Sequence, residues 1–154
     1  MANQLTWQCK YFDDLNTKEL YALMVLRQEV FVVEQNCPYL DADNKDTHAW
    51  HLLGYGNRKK LQAYARILPQ WTSYKDAISI GRIATSQKIR GKGAGKELVN
   101  ESLKQIKEIF GEENTVKISA QTYLLKFYEQ FGFRSNGKEY LEDNIPHTEM
   151  ILHQ

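Results

Sequence analysis

The stretch ISIGRIATSQKIRGKGAGKELVNESL, residues 78–103, decides the fold. It opens as a short apolar strand, Ile78 to Thr85, and after a brief loop reaches Arg90-Gly91-Lys92-Gly93-Ala94-Gly95-Lys96. From there Leu98, Val99, Leu103, Ile106 and Phe110 recur at helical spacing, so the basic glycine-rich turn starts an amphipathic helix that Gly111 is placed to end. Several glycines at a helix start weaken the helix unless they have a use. The first amides of a helix lack intrahelical partners and carry about half a positive charge between them, and glycine lets a ligand approach that backbone. With Lys88, Arg90, Lys92 and Lys96 around it, the turn is a local site for a phosphate-bearing ligand.

Outward from this unit, the pattern alternates strands with two further helices. Leu5, Trp7, Cys9 and Tyr11 alternate with polar residues as in a half-buried strand. Asn16 with Glu19 three residues on resembles a capping box, and Leu20, Leu23, Met24, Val30 and Phe31 follow at helical spacing. The segment from Glu34 to Asp46, with Pro38 and several Asx residues, reads as a long loop. His48 to Tyr55 and Leu61 to Leu68 flank GNRKK and predict a hairpin. Val116 to Ala120 predicts a strand, Thr122 to Phe131 a short helix stopped by Gly132, and the tail two more strands, near Phe133 and from His147 to Leu152. The order implies one α+β domain over residues 1–154 with a largely antiparallel sheet, in the three-layer α/β manner.

Composition bounds the partners. The 154 residues include 20 Lys and Arg against 19 Asp and Glu, a formal net charge of +1. That balance argues against a nucleic-acid or anionic-membrane partner, because the basic residues form one turn and not an extended face. No apolar run reaches the ~20 residues of a membrane span, and the start MANQLTWQCKYFDD has no signal-peptide pattern, so a cytoplasmic protein is expected. Cys9 and Cys37 are expected as free thiols, and the four His show no metal-ligand spacing, so no metal is expected.

Three phosphate-loop patterns compete for the turn. A Walker loop requires Gly where Arg90 stands and Ser or Thr where Glu97 stands, and the dinucleotide fingerprint requires Gly at Lys96. What remains, Arg90-x-x-Gly93-x-Gly95 between a strand and a helix, resembles the acyl-CoA pyrophosphate loop of the Gcn5-related N-acetyltransferases, the GNAT superfamily. Tyr128, four residues before Gly132-Phe133, matches a second pattern of that superfamily. The segment LRQEVFVVEQNCPYLDADNKDTHAWHLL and the tail NIPHTEM are similar to its ElaA-like subgroup.

The resemblance implies a sheet whose central strands splay, flanked by helices, with acetyl-CoA as the donor lying in the opening. It implies that backbone groups of Ile83 and Thr85 bond the pantetheine arm as an added strand would, and that Arg90, Gly91, Lys92, Gly93, Ala94, Gly95 and Lys96 take the pyrophosphate. Gln121, where many members have Asn, is a further candidate contact. Tyr128 would protonate the departing thiolate, work that suits a phenol neutral at pH 7. The acceptor would be a primary amine of a small molecule or peptide, attacking directly while both substrates are bound.

An amine must lose a proton before it attacks, yet SIGRIA, where many members carry a Glu, contains no acid. Glu34 and His51 are the candidate bases, with His147 behind them. Asp41, Asp43 and Asp46 form an acidic rim that would steer a cationic amine, or else a solvated Asx-rich turn. Arg27 is expected to pair with Glu34 or a loop aspartate, and Trp50, Trp71 and Tyr74 are candidate pocket walls. Cys37 is a residual candidate nucleophile. Two other functions fit the same residues: an amide-forming enzyme like the acyl-homoserine-lactone synthases, and a CoA-binding regulatory module without chemistry. Association into a homodimer is compatible with either.

Overall fold

The computed structural model describes residues 4–154. Alternation from Leu5 onward produces β1 (Thr6–Tyr11), which pairs antiparallel with β2 (Trp50–Tyr55). β2 turns through Gly56–Lys60 into β3 (Leu61–Leu68), completing the expected hairpin. β3 pairs with β4 (Ile78–Thr85), and β5 (Thr115–Gln121), β6 (Arg134–Glu142) and β7 (Ile145–His153) complete a seven-stranded sheet in the order β1-β2-β3-β4-β5-β7-β6. Among the described residues only the β4–β5 pair is parallel, and the crossover that a parallel pair requires is supplied by α2 (Ala94–Phe110).

The capping box forms as expected: Glu19 N donates to Asn16 Oδ1 at 2.8 Å and Asn16 N donates to Glu19 Oε2 at 3.0 Å, starting α1 (Thr17–Arg27). The helix does not stop there. It runs on as seven residues of π-helix, Gln28–Glu34, so Glu34 ends a helix instead of opening a loop. The expected helix after β5 is a 3-10 turn, Thr122–Leu124, followed by α3 (Leu125–Glu129), with Gly132 at φ 96° closing it. β6 is longer than foreseen and exposed throughout, because an edge strand with little to bury has no alternation to read.

Neighbouring residues of the central strands point to opposite faces, and each face has its own apolar cluster. Leu52, Ala65, Ile67, Ile80, Ile118 and Met150 pack beneath Leu98, Val99 and Ile106 of α2, while Leu53, Tyr64 and Ala84 pack beneath Leu23 and Leu26 of α1. Each fully buried aliphatic contributes roughly 1.5–3 kcal/mol relative to exposure. Since Val116, Ile118 and Ala120 face the α2 side, Lys117, Ser119 and Gln121 face the other. Among the described residues no helix is long and apolar enough to cross a membrane.

Candidate functional site

β4 and β5 are in register only at Ile78 opposite Val116 and Ser79 opposite Lys117, and beyond those pairs they part. A bulge accompanies the parting: Gly81 to Ala84 on β4 spans the same ladder as Arg66 to Tyr64 on β3, one residue more. Within it Arg82 has φ 49°, a left-handed backbone that costs roughly 1–2 kcal/mol for an L-residue. Its guanidinium is held in return, Nε donating to Asp41 Oδ1 at 2.8 Å and Nη2 to the Asp41 carbonyl at 3.1 Å.

The parted strands enclose a cleft of about 840 Å³. Ile83, Thr85, Arg90, Gly95, Gln121, Tyr128 and Glu34 all line it. Gly93 and Lys96 open on a second groove, beside Trp7 and Glu97, and Gly91, Lys92 and Ala94 line neither. Gly91 and Gly93 have φ 76° and 83°, and a Cβ on either would meet nothing within 4 Å, so backbone conformation, not crowding, requires glycine. No side chain caps α2, which leaves its first amides without intrahelical acceptors. This uncapped, positively charged turn fits an anionic group of diphosphate kind.

Arg90 is committed elsewhere. Its Nε and Nη2 donate to the Thr85 carbonyl at 3.1 and 2.7 Å, and Nη1 lies 2.9 Å from Glu34 Oε2. The guanidinium thus folds back to brace the loop against β4 and the end of the π-helix. Glu34, expected as a base, stands against that guanidinium, and Thr85 already uses its carbonyl.

Tyr128 is buried on the α3 side, its ring edge-on to Phe127 at 5.1 Å and Phe133 at 6.1 Å. Burial, with a small contribution from Tyr123, pushes its phenol up to about 12, so it keeps its proton at neutral pH. His51 corrects an expectation. It is fully buried and does not line the cleft, with Nε2 donating to the Asp46 carbonyl at 2.9 Å and Nδ1 accepting from the Tyr64 hydroxyl at 2.7 Å. Burial lowers its pKa, and with both nitrogens engaged it has no lone pair for a substrate.

The aspartates are also corrected. Instead of a free rim, Asp41, Asp43 and Asp46 interlock with Arg27, Arg66 and Arg82. Fully buried Arg27 donates to Asp41 Oδ2 at 2.8 Å and Asp46 Oδ1 at 2.7 Å, and Arg66 grips both Asp43 oxygens at 2.7 and 2.9 Å. Burial alone would raise the Asp43 and Asp46 carboxyls, but their arginines override it and hold both below the usual carboxylate range. Arg27 therefore pairs with the loop as expected, though not with Glu34. Of the aromatic wall candidates only Tyr74 lines the cleft; Trp71 is exposed and Trp50 packs on Tyr11 and Phe110. Cys37 also lines it, its Sγ 3.8 Å from the Asp143 carbonyl of the β6–β7 turn. Ser119, Tyr140 and Glu142 line the same cleft and were not foreseen, since nothing in β6 marks which residues reach β5.

A family model described as acetyltransferase (GNAT) domain matches residues 45–154. Protein ElaA of Escherichia coli is 39% identical over 148 residues, covering 95% of each chain. The crystal structure of an acyl-CoA N-acyltransferase from Pseudomonas aeruginosa superposes with TM-score 0.90 at 39% identity, covering 96% of this chain and 99% of that one. The acyl-homoserine-lactone synthase LasI, at 12% identity and TM-score 0.77 over 98% of this chain and 90% of that one, shares the fold alone.

Proposed function

This chain belongs to the GNAT acetyltransferase family as an ElaA-like acyl-transfer enzyme, and on that premise we propose that it moves an acetyl group from acetyl-CoA to a primary amine of a small-molecule or peptide acceptor. One observation carries the reading: the cleft between the parted strands holds the buried phenol of Tyr128 and reaches the edge of the uncapped glycine-rich helix start at Arg90 and Gly95. Bound acetyl-CoA supplies an acyl thioester. The amides from Gly91 to Lys96 would bind its diphosphate, with Lys92 and Lys96 adding charge. Arg90, braced by Glu34, holds that loop in shape, and Ile83, Thr85 and Gln121 would orient the pantetheine arm along the bulged strand.

Tyr128 would donate its proton to the leaving thiolate; its raised pKa keeps the proton available throughout the neutral range. Transfer is direct, within one domain, with amine and thioester bound together. Both cysteines are free thiols, which goes with a cytoplasmic location.

The test is CoA release from acetyl-CoA, read by thiol titration, against a panel of primary amines. At least one amine should accelerate release. Tyr128→Phe should lower kcat about a hundredfold or more while acetyl-CoA affinity stays nearly constant. Tight acetyl-CoA binding without amine-dependent release would replace transfer with the binding-module reading, and preference for acyl carrier protein as donor would favour a synthase.

A further inference from the structure

The tail motif NIPHTEM places His147 on β7, opposite Gln121 of β5 and Tyr140 of β6. Gln121 and Ser119 share the sheet face away from α2, so His147 shares it too. Ser119 stands just beyond the last β4–β5 pair, where the strands have begun to part. Its hydroxyl bonds Glu142 Oε2 at 3.1 Å and also meets the Tyr140 hydroxyl. Glu142 Oε2 lies 3.4 Å from His147 Nε2, and the Tyr140 ring stacks on the imidazole at 6.2 Å. All four side chains line the cleft that also holds Tyr128, which packs in the apolar cluster on the α2 side.

The imidazole tautomer follows from its other partner. His147 Nδ1 is 2.7 Å from the Ile145 carbonyl, and a carbonyl can only accept, so Nδ1 carries the hydrogen. In the neutral ring Nε2 then has a lone pair, and once it gains a proton the Glu142 carboxylate accepts a hydrogen bond from it. A fixed tautomer with a carboxylate waiting on the conjugate acid is the arrangement a general base needs.

We propose that His147 is the general base that deprotonates the acceptor amine, with Glu142 as its positioning residue. The inference rests on the amine-transfer reading above. An ammonium R–NH3+ gives one proton to His147 Nε2, and its nitrogen forms a bond to the thioester carbonyl carbon. The C–S bond breaks, the thiolate sulfur takes a proton from Tyr128, and the second proton that the nitrogen loses as the amide forms returns through solvent to the Tyr128 phenolate. One proton is released to water overall, so R–NH3+ and acyl thioester become amide, thiol and H+. The assignment puts acid and base on opposite faces of the splayed sheet, and it replaces His51, which has no free nitrogen. The titratable groups facing the imidazole are Tyr140 and Glu142 of β6, with Glu149 farther along β7 on the same face.

Two measurements test it. In the protein alone, long-range 15N–1H spectra of the imidazoles, assigned with His147→Gln, should show the Nδ1–H tautomer for His147 at high pH; an Nε2–H tautomer overturns the proposal. In CoA release with the best amine of a panel of benzylamine, ethanolamine and putrescine, His147→Gln should lower kcat about a hundredfold with acetyl-CoA affinity unchanged. Imidazole added to His147→Ala should restore part of the loss, a recovery that a purely structural histidine would not show. Glu142→Gln, at a half-exposed site, should lower kcat several-fold with little change in the KM for acetyl-CoA. Wild-type kcat in His147→Gln overturns the base assignment alone. Absence of amine-dependent release from the wild-type protein overturns the transfer reading, and this assignment with it.

Discussion

Two short segments of this chain are dense in charge, Asp41 to Asp46 and Arg90 to Lys96, and they behave oppositely. The first is drawn into the interior, where its three carboxylates meet three guanidinia and little charge is left to offer a ligand. The second sits on the surface with Lys92 and Lys96 exposed, its backbone left-handed at two glycines and its helix uncapped. The first segment is consumed in structure and the second is available for binding. Charge density does not separate them. What does is whether opposite charges arrive from other elements: Arg27 comes from α1, Arg66 from β3 and Arg82 from the β4 bulge, whereas the glycine-rich turn receives only Glu34, and that on Arg90 alone.

The sharpest way to break this contrast is Arg27→Met. It takes from Asp41 and Asp46 their fully buried partner, leaving Asp41 with Arg82 alone and Asp46 with Arg66 alone, and should cost about 3–5 kcal/mol in urea unfolding. A loss below ~1 kcal/mol would mean that the cluster is not a structural unit. Acid should act in the same direction. His51 is held neutral, so the unfolded chain takes up a proton there first and stability should begin to fall as pH drops below about 6.5. Asp43 and Asp46 titrate below their unfolded values, so their contribution is complete above about pH 4 and is lost as pH falls further. Urea midpoints from pH 7 to pH 3 check both stages, and a midpoint that stays flat to pH 3 would contradict the cluster's role.

The binding segment should respond differently. Gly93→Ala forces a side chain into φ 83° at the helix start and should cost roughly 1–2 kcal/mol, split between unfolding free energy and acetyl-CoA affinity. Calorimetric titration and urea melts together measure the split. Smallest of all, Lys92→Ala or Lys96→Ala should leave stability unchanged and weaken acetyl-CoA binding by about twofold to fivefold, less at high salt. Equal loss at 50 mM and 500 mM salt would argue against an electrostatic role for either lysine.

Much of the fold was legible because its signals are local. The Asn16–Glu19 box, the stripe from Leu98 to Phe110 and the alternation around Trp7 each require only a few neighbouring residues, and all three form. The expected hairpin and the splayed parallel pair are also present. The π-helical extension to Glu34 was not legible, since an extra residue per turn leaves no mark in an apolar run. Nor was β6, whose exposed residues carry no period. In the site, Tyr128 and the glycine-rich turn could be named from spacing. His51 misled because a histidine among apolar neighbours looks the same whether its nitrogens are free or, as here, bonded to Tyr64 and Asp46.

The sequence by itself determined that a strand, a basic glycine-rich turn and an amphipathic helix follow one another, because backbone dihedrals and helix-end amides depend on residues a few positions apart. Tertiary structure alone decided which charges cancel and which stay free. Arg27 lies 14 residues from Asp41 and Ser119 lies 23 from Glu142, and such partners are chosen by the strand order and the bulge at Arg82. The energy of a charge depends on its burial and on its neighbours in space, and neither is a property of the chain read in order.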